Sequence, residues 1–259
     1  TYALIIGALV GGLIGGGGLV GTVSAMVKGS ESMMSSVLRI MTSGILAGCL
    51  VKTGAAEKIA DTIIKKLGEQ KALIAIAIST MIICAVGVFI DISVITCAPI
   101  ALAVGKKSNL SKSIILLAMI GGGKAGNVIS PNPNTIATAE GFKLNLTSLM
   151  YVNIIPAICA LIVTIIIAMA LAKKKTDVID STDLESSERT NLPSFFASII
   201  GPVTVIVLLA LRPLAKITID PLIALPLGGF VCLLATKETK NTKEYVNYGF
   251  SKIIGVCAL

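Results

Sequence analysis

Apolar residues in this chain come in long uninterrupted runs rather than in stripes that recur every three to four positions. Runs of about 20 apolar residues are the pattern of segments that cross a bilayer. The first occupies residues 2–23, YALIIGALVGGLIGGGGLVGTV, and contains the four glycines Gly15 to Gly18. Those glycines let a neighbouring helix approach closely, or let the span unwind. A second run at 33–51 carries Arg39 near its start and has Gly44 and Gly48 four apart; it is long enough to span or to form a hairpin. Residues 54–67 differ. Ile59, Ile63, Ile64 and Leu67 share one face, with lysines and acids opposite, which predicts an amphipathic helix lying at the membrane interface. The cleanest span is 148–172, ending at Lys173–Lys175; a polar loop at 176–193 and further spans at about 195–211 and 218–236 follow.

Two segments cannot be plain spans. Residues 72–105 hold a single charge, Asp91. As one helix the segment would run about 51 Å against a hydrocarbon core of about 30 Å. It must bend, break or re-enter, with Gly87, Asp91 and Pro99 as the break points. The second is 113–142, where an apolar, glycine-rich piece runs into Ser130-Pro-Asn-Pro-Asn-Thr135. Two prolines and two asparagines stop a helix there, and we expect residues 121–135 to be non-helical at membrane depth. Such backbone survives only where protein or a water-filled cavity satisfies it.

Composition agrees. The chain is 54% hydrophobic and 14% charged, with a mean hydropathy of +0.92, against about 25% charged residues in soluble domains. The net charge of +8 is not a nucleic-acid footprint, because the lysines sit in short loops at the ends of apolar runs. The positive-inside rule places 52–71, 173–192 and 237–244 inside and the loops at 106–112 and 212–217 outside. No histidine is present, which removes the usual metal ligand and neutral-pH proton carrier. The six cysteines form no CxxC pair and read as small hydrophobes. No metal and no cofactor is expected. The chain starts at Thr1 and stops at Leu259 within apolar stretches, so we expect a piece of a longer polytopic protein. A weak repeat relates Gly11-Gly-Leu-Ile14 to Gly228-Gly-Phe-Val231, and Ser35–Ile40 to Ser251–Val256. Secondary transporters are often built from two such halves. The predicted architecture is all-α: a first repeat over 1–175, then the loop, then linking spans and the start of a second, inverted repeat over 194–259.

A carboxylate inside lipid is costly unless it faces a polar cavity or a partner. Asp91 is therefore the first candidate for chemistry: carboxylates in low-dielectric cavities exchange protons near neutral pH, and they also coordinate Na⁺. The alternative role is an N-cap for a broken helix. The stretch GGGKAGNVISPNPNT at 121–135 is the second candidate, because unwound backbone and helix N-termini favour anions. Lys124 adds a full positive charge; its alternative is to snorkel toward the interface. GGGKAG is not a phosphate-binding loop, which needs Ser or Thr after the lysine. The candidate ligands for a substrate or coupling ion are Asp91, Ser93, Lys124, Asn127, Ser130, Asn132, Asn134 and Thr135.

VGVFIDISVITCAPIALAVGKKSNLS at 86–111, GGGKAGNVISPNPNTIATAEGF at 121–142, and SSVLRIMTSGILAGCLVKTGAAEKIADTIIKKLG at 35–68 together resemble the gluconate permease family of proton symporters, within the ion-transporter superfamily. The resemblance implies a cytoplasmic-membrane carrier importing a sugar acid or related small carboxylate with H⁺, built from two inverted halves. In sugar-acid-transporting members the position matching Asp91 is a glutamate. Their proline loop has a histidine and a glycine where this chain has Ser130, Asn132, Asn134 and Thr135. Competing expectations are a Na⁺-coupled carrier or Na⁺/H⁺ antiporter of the same superfamily, and a membrane scaffold that transports nothing. A homo-oligomer is expected, and nucleic acid is not expected as a partner.

Overall fold

The structure, a computed structural model, describes residues 2–172, 177, 179 and 191–257, and every regular element among them is helical. In chain order these are α1 (Tyr2–Ile14), α2 (Gly18–Lys52), α3 (Ala55–Leu67), α4 (Ala72–Ala85), α5 (Ile90–Lys107), α6 (Lys112–Asn127), α7 (Pro133–Gly141), α8 (Leu146–Val152), α9 (Ile154–Leu171), α10 (Phe195–Ala215), α11 (Pro221–Thr236) and α12 (Thr242–Cys257). The predicted polar loop at 176–193 falls mostly outside the described residues.

The first run is not one span. Gly16 and Gly18 adopt φ of +82° and +59°, left-handed values that glycine takes without steric cost, and the chain reverses between α1 and α2. α2 then continues unbroken for 35 residues through the polar stretch around Lys28 to Lys52, where a separate span at 33–51 was expected. Nothing in that stretch breaks a helix; the Ser30 and Ser32 hydroxyls turn back onto the Met26 and Gly29 carbonyls, bonds a helix tolerates. The expected span at 148–172 is likewise divided, at Asn153 between α8 and α9. α2 and α9 are the described helices long and apolar enough to cross a membrane.

α3 forms where its amphipathic pattern predicts, but its apolar face is covered by protein. Ile59, Ala60 and Ile64 are buried in the main hydrophobic cluster with Leu46, Ile76 and Leu225, and Glu57 and Asp61 are buried as well.

Residues 72–105 fold in two. α4 and α5 are too short to span comfortably, about 21 and 27 Å, and they are joined by a tight turn in which Gly87 has φ +105°. Pro99 lies inside α5 without ending it. The open ends of this hairpin meet: Gln70 and Leu73 line one cavity with Lys107 and Leu110, and Asp61 and Lys65 line another with Val104 and Lys107. The loop at 106–112 therefore lies at the same end as 52–71, not at the opposite end as the lysine count suggested. The reversal at Gly87 is the reason. Asp177, whose carbonyl accepts from Lys112 N at 3.3 Å, and the Lys52–Glu244 ion pair at 3.0 Å belong to this end too.

α6 is helical through Asn127, so the expected unwinding over 121–135 is confined to Val128–Asn132. The glycines serve packing. A Cβ at Gly122 would run into the Ala77 carbonyl oxygen, and one at Gly126 into that of Met81. Glycines four apart thus press α6 against α4 backbone to backbone. Gly44, Gly48 and Gly249 do the same where α2 crosses α12, since a Cβ on Gly48 or Gly249 would meet Tyr245 or Gly44 carbonyl oxygen.

A polar knot fastens the end remote from Lys65, Lys71 and Lys107. Arg39 on α2 donates from Nε and Nη2 to the Asp220 carboxylate at 3.0 and 2.7 Å and also pairs with Glu140 on α7. Asp220 in turn caps α11 by accepting from Leu222 N at 2.9 Å. Hydrogen bonding to Arg39 holds the Asp220 carboxyl below its usual range. A lowered carboxylate pKa gives stability that is present above the ordinary range and lost as pH falls through the lowered value. Asp220→Asn keeps a capping oxygen and removes the charge. In thermal melts it should cost about 1 kcal/mol at neutral pH, the scale of a partly exposed bidentate pair. The gap to wild type should close on acidification; a gap independent of pH would refute the role of the charge.

Candidate functional site

The tip of the α4–α5 hairpin meets the break between α6 and α7. Phe89 is extended, with φ −68° and ψ 148°, and is the N-cap of α5. Asp91 therefore stands in the first turn rather than at the cap, and makes no capping hydrogen bond. The alternative role as an N-cap is excluded by this geometry. A carboxylate in a first helical turn is favoured by the helix dipole, and this one is exposed to a cavity. That cavity, of about 270 Å³, is lined by Asp91, Lys124, Asn127, Asn132, Asn134 and Lys252 among others. A second, of about 180 Å³, adjoins it and shares Lys124, Asn127 and Asn134 while adding Thr135, Thr138 and Asn153.

The SPNPNT segment builds the break by satisfying its own polar groups. Asn132 caps α7, its Oδ1 accepting from Asn134 N at 2.9 Å and Thr135 N at 3.3 Å. Its Nδ2 donates to the Asn127 carbonyl at 2.5 Å and to Ser130 Oγ at 2.7 Å. Thr135 Oγ1 and Ser130 Oγ donate to the same carbonyl at 3.0 and 3.2 Å. The Asn127 carbonyl, where α6 stops, thus has three side-chain donors besides the Ser130 N–H at 3.3 Å. Asn153, at the α8–α9 division, donates to the Val128 carbonyl at 3.1 Å. Pro133 sits at the first turn of α7, where the missing N–H costs nothing.

The eight expected ligands consequently divide. Asp91, Lys124 and Asn134 are exposed on the cavities, and Asn127 lines both. Ser130, Asn132 and Thr135 are buried and committed to the break. Ser93 is buried between α4 and α5, accepting from Cys84 Sγ at 3.2 Å. Asn127 Oδ1 is buried without a hydrogen-bond partner; an orphaned acceptor costs about 1–3 kcal/mol, and a donor entering from the cavity would relieve it. Among the described residues, Asp91, Lys124 and Lys252 form no ion pair with one another or with any other residue. Lys252 was not among the expected ligands. Its one signal in the sequence is its place in Ser251–Val256, the stretch related to that around Arg39.

Two helix N-termini, those of α5 and α7, open on the cavity. At α5 no side chain caps the first-turn N–H groups, which lack partners within the helix and sit at its positive dipole end; at α7 Asn132 Oδ1 already takes the Asn134 and Thr135 N–H groups, which leaves only the dipole there. With two lysines beside them, the arrangement can hold an anion, and Asp91 can hold a proton or metal cation. Cysteine substitution tests the geometry. In a background lacking the exposed Cys159, Asn134→Cys should label rapidly with a membrane-impermeant thiol reagent, whereas Asn132→Cys, at a position fully buried, should not. Equal reactivity would contradict the described break.

Apolar helices broken in the middle, with their polar ends gathered on a charged cavity, fit a helical membrane protein. The family model of GntP family permeases matches residues 1–227, and the chain belongs to that family. It is 51% identical over 238 residues to an uncharacterised transporter of Haemophilus influenzae, covering 92% of this chain and 57% of that protein. It is 26% identical over 226 residues to the Gnt-II system L-idonate transporter of Escherichia coli, covering 84% and 50%, and 22% identical over 220 residues to the high-affinity gluconate transporter of the same organism, covering 83% and 49%. The chain spans about half the length of the curated relatives it matches. These relatives are transporters, not enzymes. No solved structure matches the chain.

Proposed function

We propose that this protein is a secondary transporter that carries gluconate or a related small carboxylate together with H⁺ across the cytoplasmic membrane. The observation that carries the reading is the shared cavity, where Lys124 and the α5 N-terminus lie beside Asp91, both side chains without an ion pair among the described residues. Lys124 and the α5 backbone would hold the carboxylate, and Asp91 would take the proton, its charge state governing the affinity for the anion. The names of the gluconate and idonate relatives support the substrate class. The chain would be one inverted repeat plus the opening of the second, its helix pairs α1–α2 and α11–α12 being the related elements. The other repeat, or a second copy, would close the cavity. The end carrying Lys65, Lys71, Lys107 and Lys243 would face the cytoplasm.

The test is uptake of labelled gluconate by vesicles carrying the full-length protein. Accumulation driven by a pH gradient and collapsed by a protonophore is the expected result. Accumulation that follows an imposed Na⁺ gradient instead would assign Asp91 to Na⁺. No uptake of any small carboxylate would leave the scaffold reading.

A further inference from the structure

The third charge in the cavity comes from a distant part of the chain. Lys252 lies on α12, one turn beyond Gly249, and lines the same cavity as Asp91 and Lys124. Its place is set by the backbone-to-backbone crossing at Gly44, Gly48 and Gly249, which leaves α12 little freedom to slide or roll. Ile253, its neighbour in sequence, is buried in the main hydrophobic cluster, so this turn is anchored while Lys252 is exposed. Its ammonium lies 5.4 Å from the centre of the Tyr248 ring on the same helix, a contact that orients the side chain and leaves its charge uncancelled.

Counting charges then points to the ligand. The cavity holds two ammonium groups and one carboxylate, none of them in an ion pair among the described residues. A single carboxylate on the substrate answers one ammonium. Once Asp91 carries the coupled proton it no longer answers the other, and when the other half of the transporter closes the cavity an unanswered, desolvated charge is costly. We propose that Lys252 is a second cationic substrate ligand, and that the site takes acids with two anionic groups, one held by Lys124 and the other by Lys252. This rests on the reading of the cavity as a carboxylate site and narrows it to dicarboxylic sugar acids.

The experiment compares gluconate with its dicarboxylic counterpart glucarate in proton-driven uptake by the reconstituted full-length protein, as wild type, Lys252→Gln and Lys252→Arg. Wild type should show the lower KM for glucarate. Lys252→Gln should raise the glucarate KM by about tenfold more than the gluconate KM, the scale of one charge-assisted hydrogen bond. Lys252→Arg should restore most of the loss. Lys252→Gln leaving both KM values unchanged, or raising both equally, would overturn the proposal, as would failure of arginine to rescue. Uptake of neither acid by wild type would instead overturn the carboxylate reading itself, and this proposal with it.

Discussion

Asp91→Asn in the full-length protein should abolish proton-driven accumulation while the protein still inserts and folds. The carboxylate is exposed on the cavity in the first turn of α5, caps no helix and pairs with no described residue, so the fold does not depend on its charge. An acid moving alone as its anion is excluded by an inside-negative membrane. Each charge crossing 100 mV is worth about 2.3 kcal/mol, or about 50-fold in concentration ratio. A co-transported proton cancels that exclusion and adds the pH gradient. The variant should therefore lose about 50-fold or more in accumulation ratio at that potential. Exchange of labelled for unlabelled acid, which needs no net proton movement, should survive, because asparagine resembles the protonated side chain. Normal accumulation by Asp91→Asn would remove this residue from the coupling mechanism.

The second large effect is structural. Gly126→Val should prevent proper assembly of α4 and α6. A Cβ at this position collides with the Met81 carbonyl oxygen and comes within 2.9 Å of Cys84 Cβ. The colliding atom is backbone, which cannot rotate away, so the helices must separate. Overpacking of this kind costs about 1–3 kcal/mol where side chains can yield, and more where they cannot. Separation would also carry Lys124, two positions earlier, away from Asp91. Thermal melts and the yield of monodisperse protein in detergent report the loss, with Gly126→Ala intermediate. A valine variant that melts like wild type would mean that the close α4–α6 crossing is not needed.

The parts of the site that were legible in the sequence are those governed by local chemistry. Gly87 and Asp91 stood out because a single charge and a glycine interrupted an apolar run too long for the bilayer, and the chain does turn at Gly87. Ser130–Thr135 stood out because its prolines and asparagines cannot continue a helix, and α6 does end just before it. The same local reasoning misjudged Gly121–Gly126. Glycine permits both unwinding and close approach, and only the position of the Ala77 and Met81 carbonyls decides between them. It also put Ser130, Asn132 and Thr135 among ligands, although their polar atoms are used to close the break. Interactions across long separations left no trace. Arg39 gave no hint of Asp220 and Glu140, Lys252 none of Asp91, and a lysine count placed 106–112 at the wrong end because it could not see the chain fold back.

The central claim is that the carboxylate binds where the α4–α5 tip meets the α6–α7 break. Labelling of Asn134→Cys in the full-length protein, lacking Cys159, measures this directly when followed with and without the acids the protein transports. Saturating acid should slow the labelling several-fold, and lactose, a neutral sugar, should not. Unchanged labelling under conditions where the same variant accumulates the acid would show that the substrate passes elsewhere, and the cavity at Asp91 and Lys124 would not be the transport site.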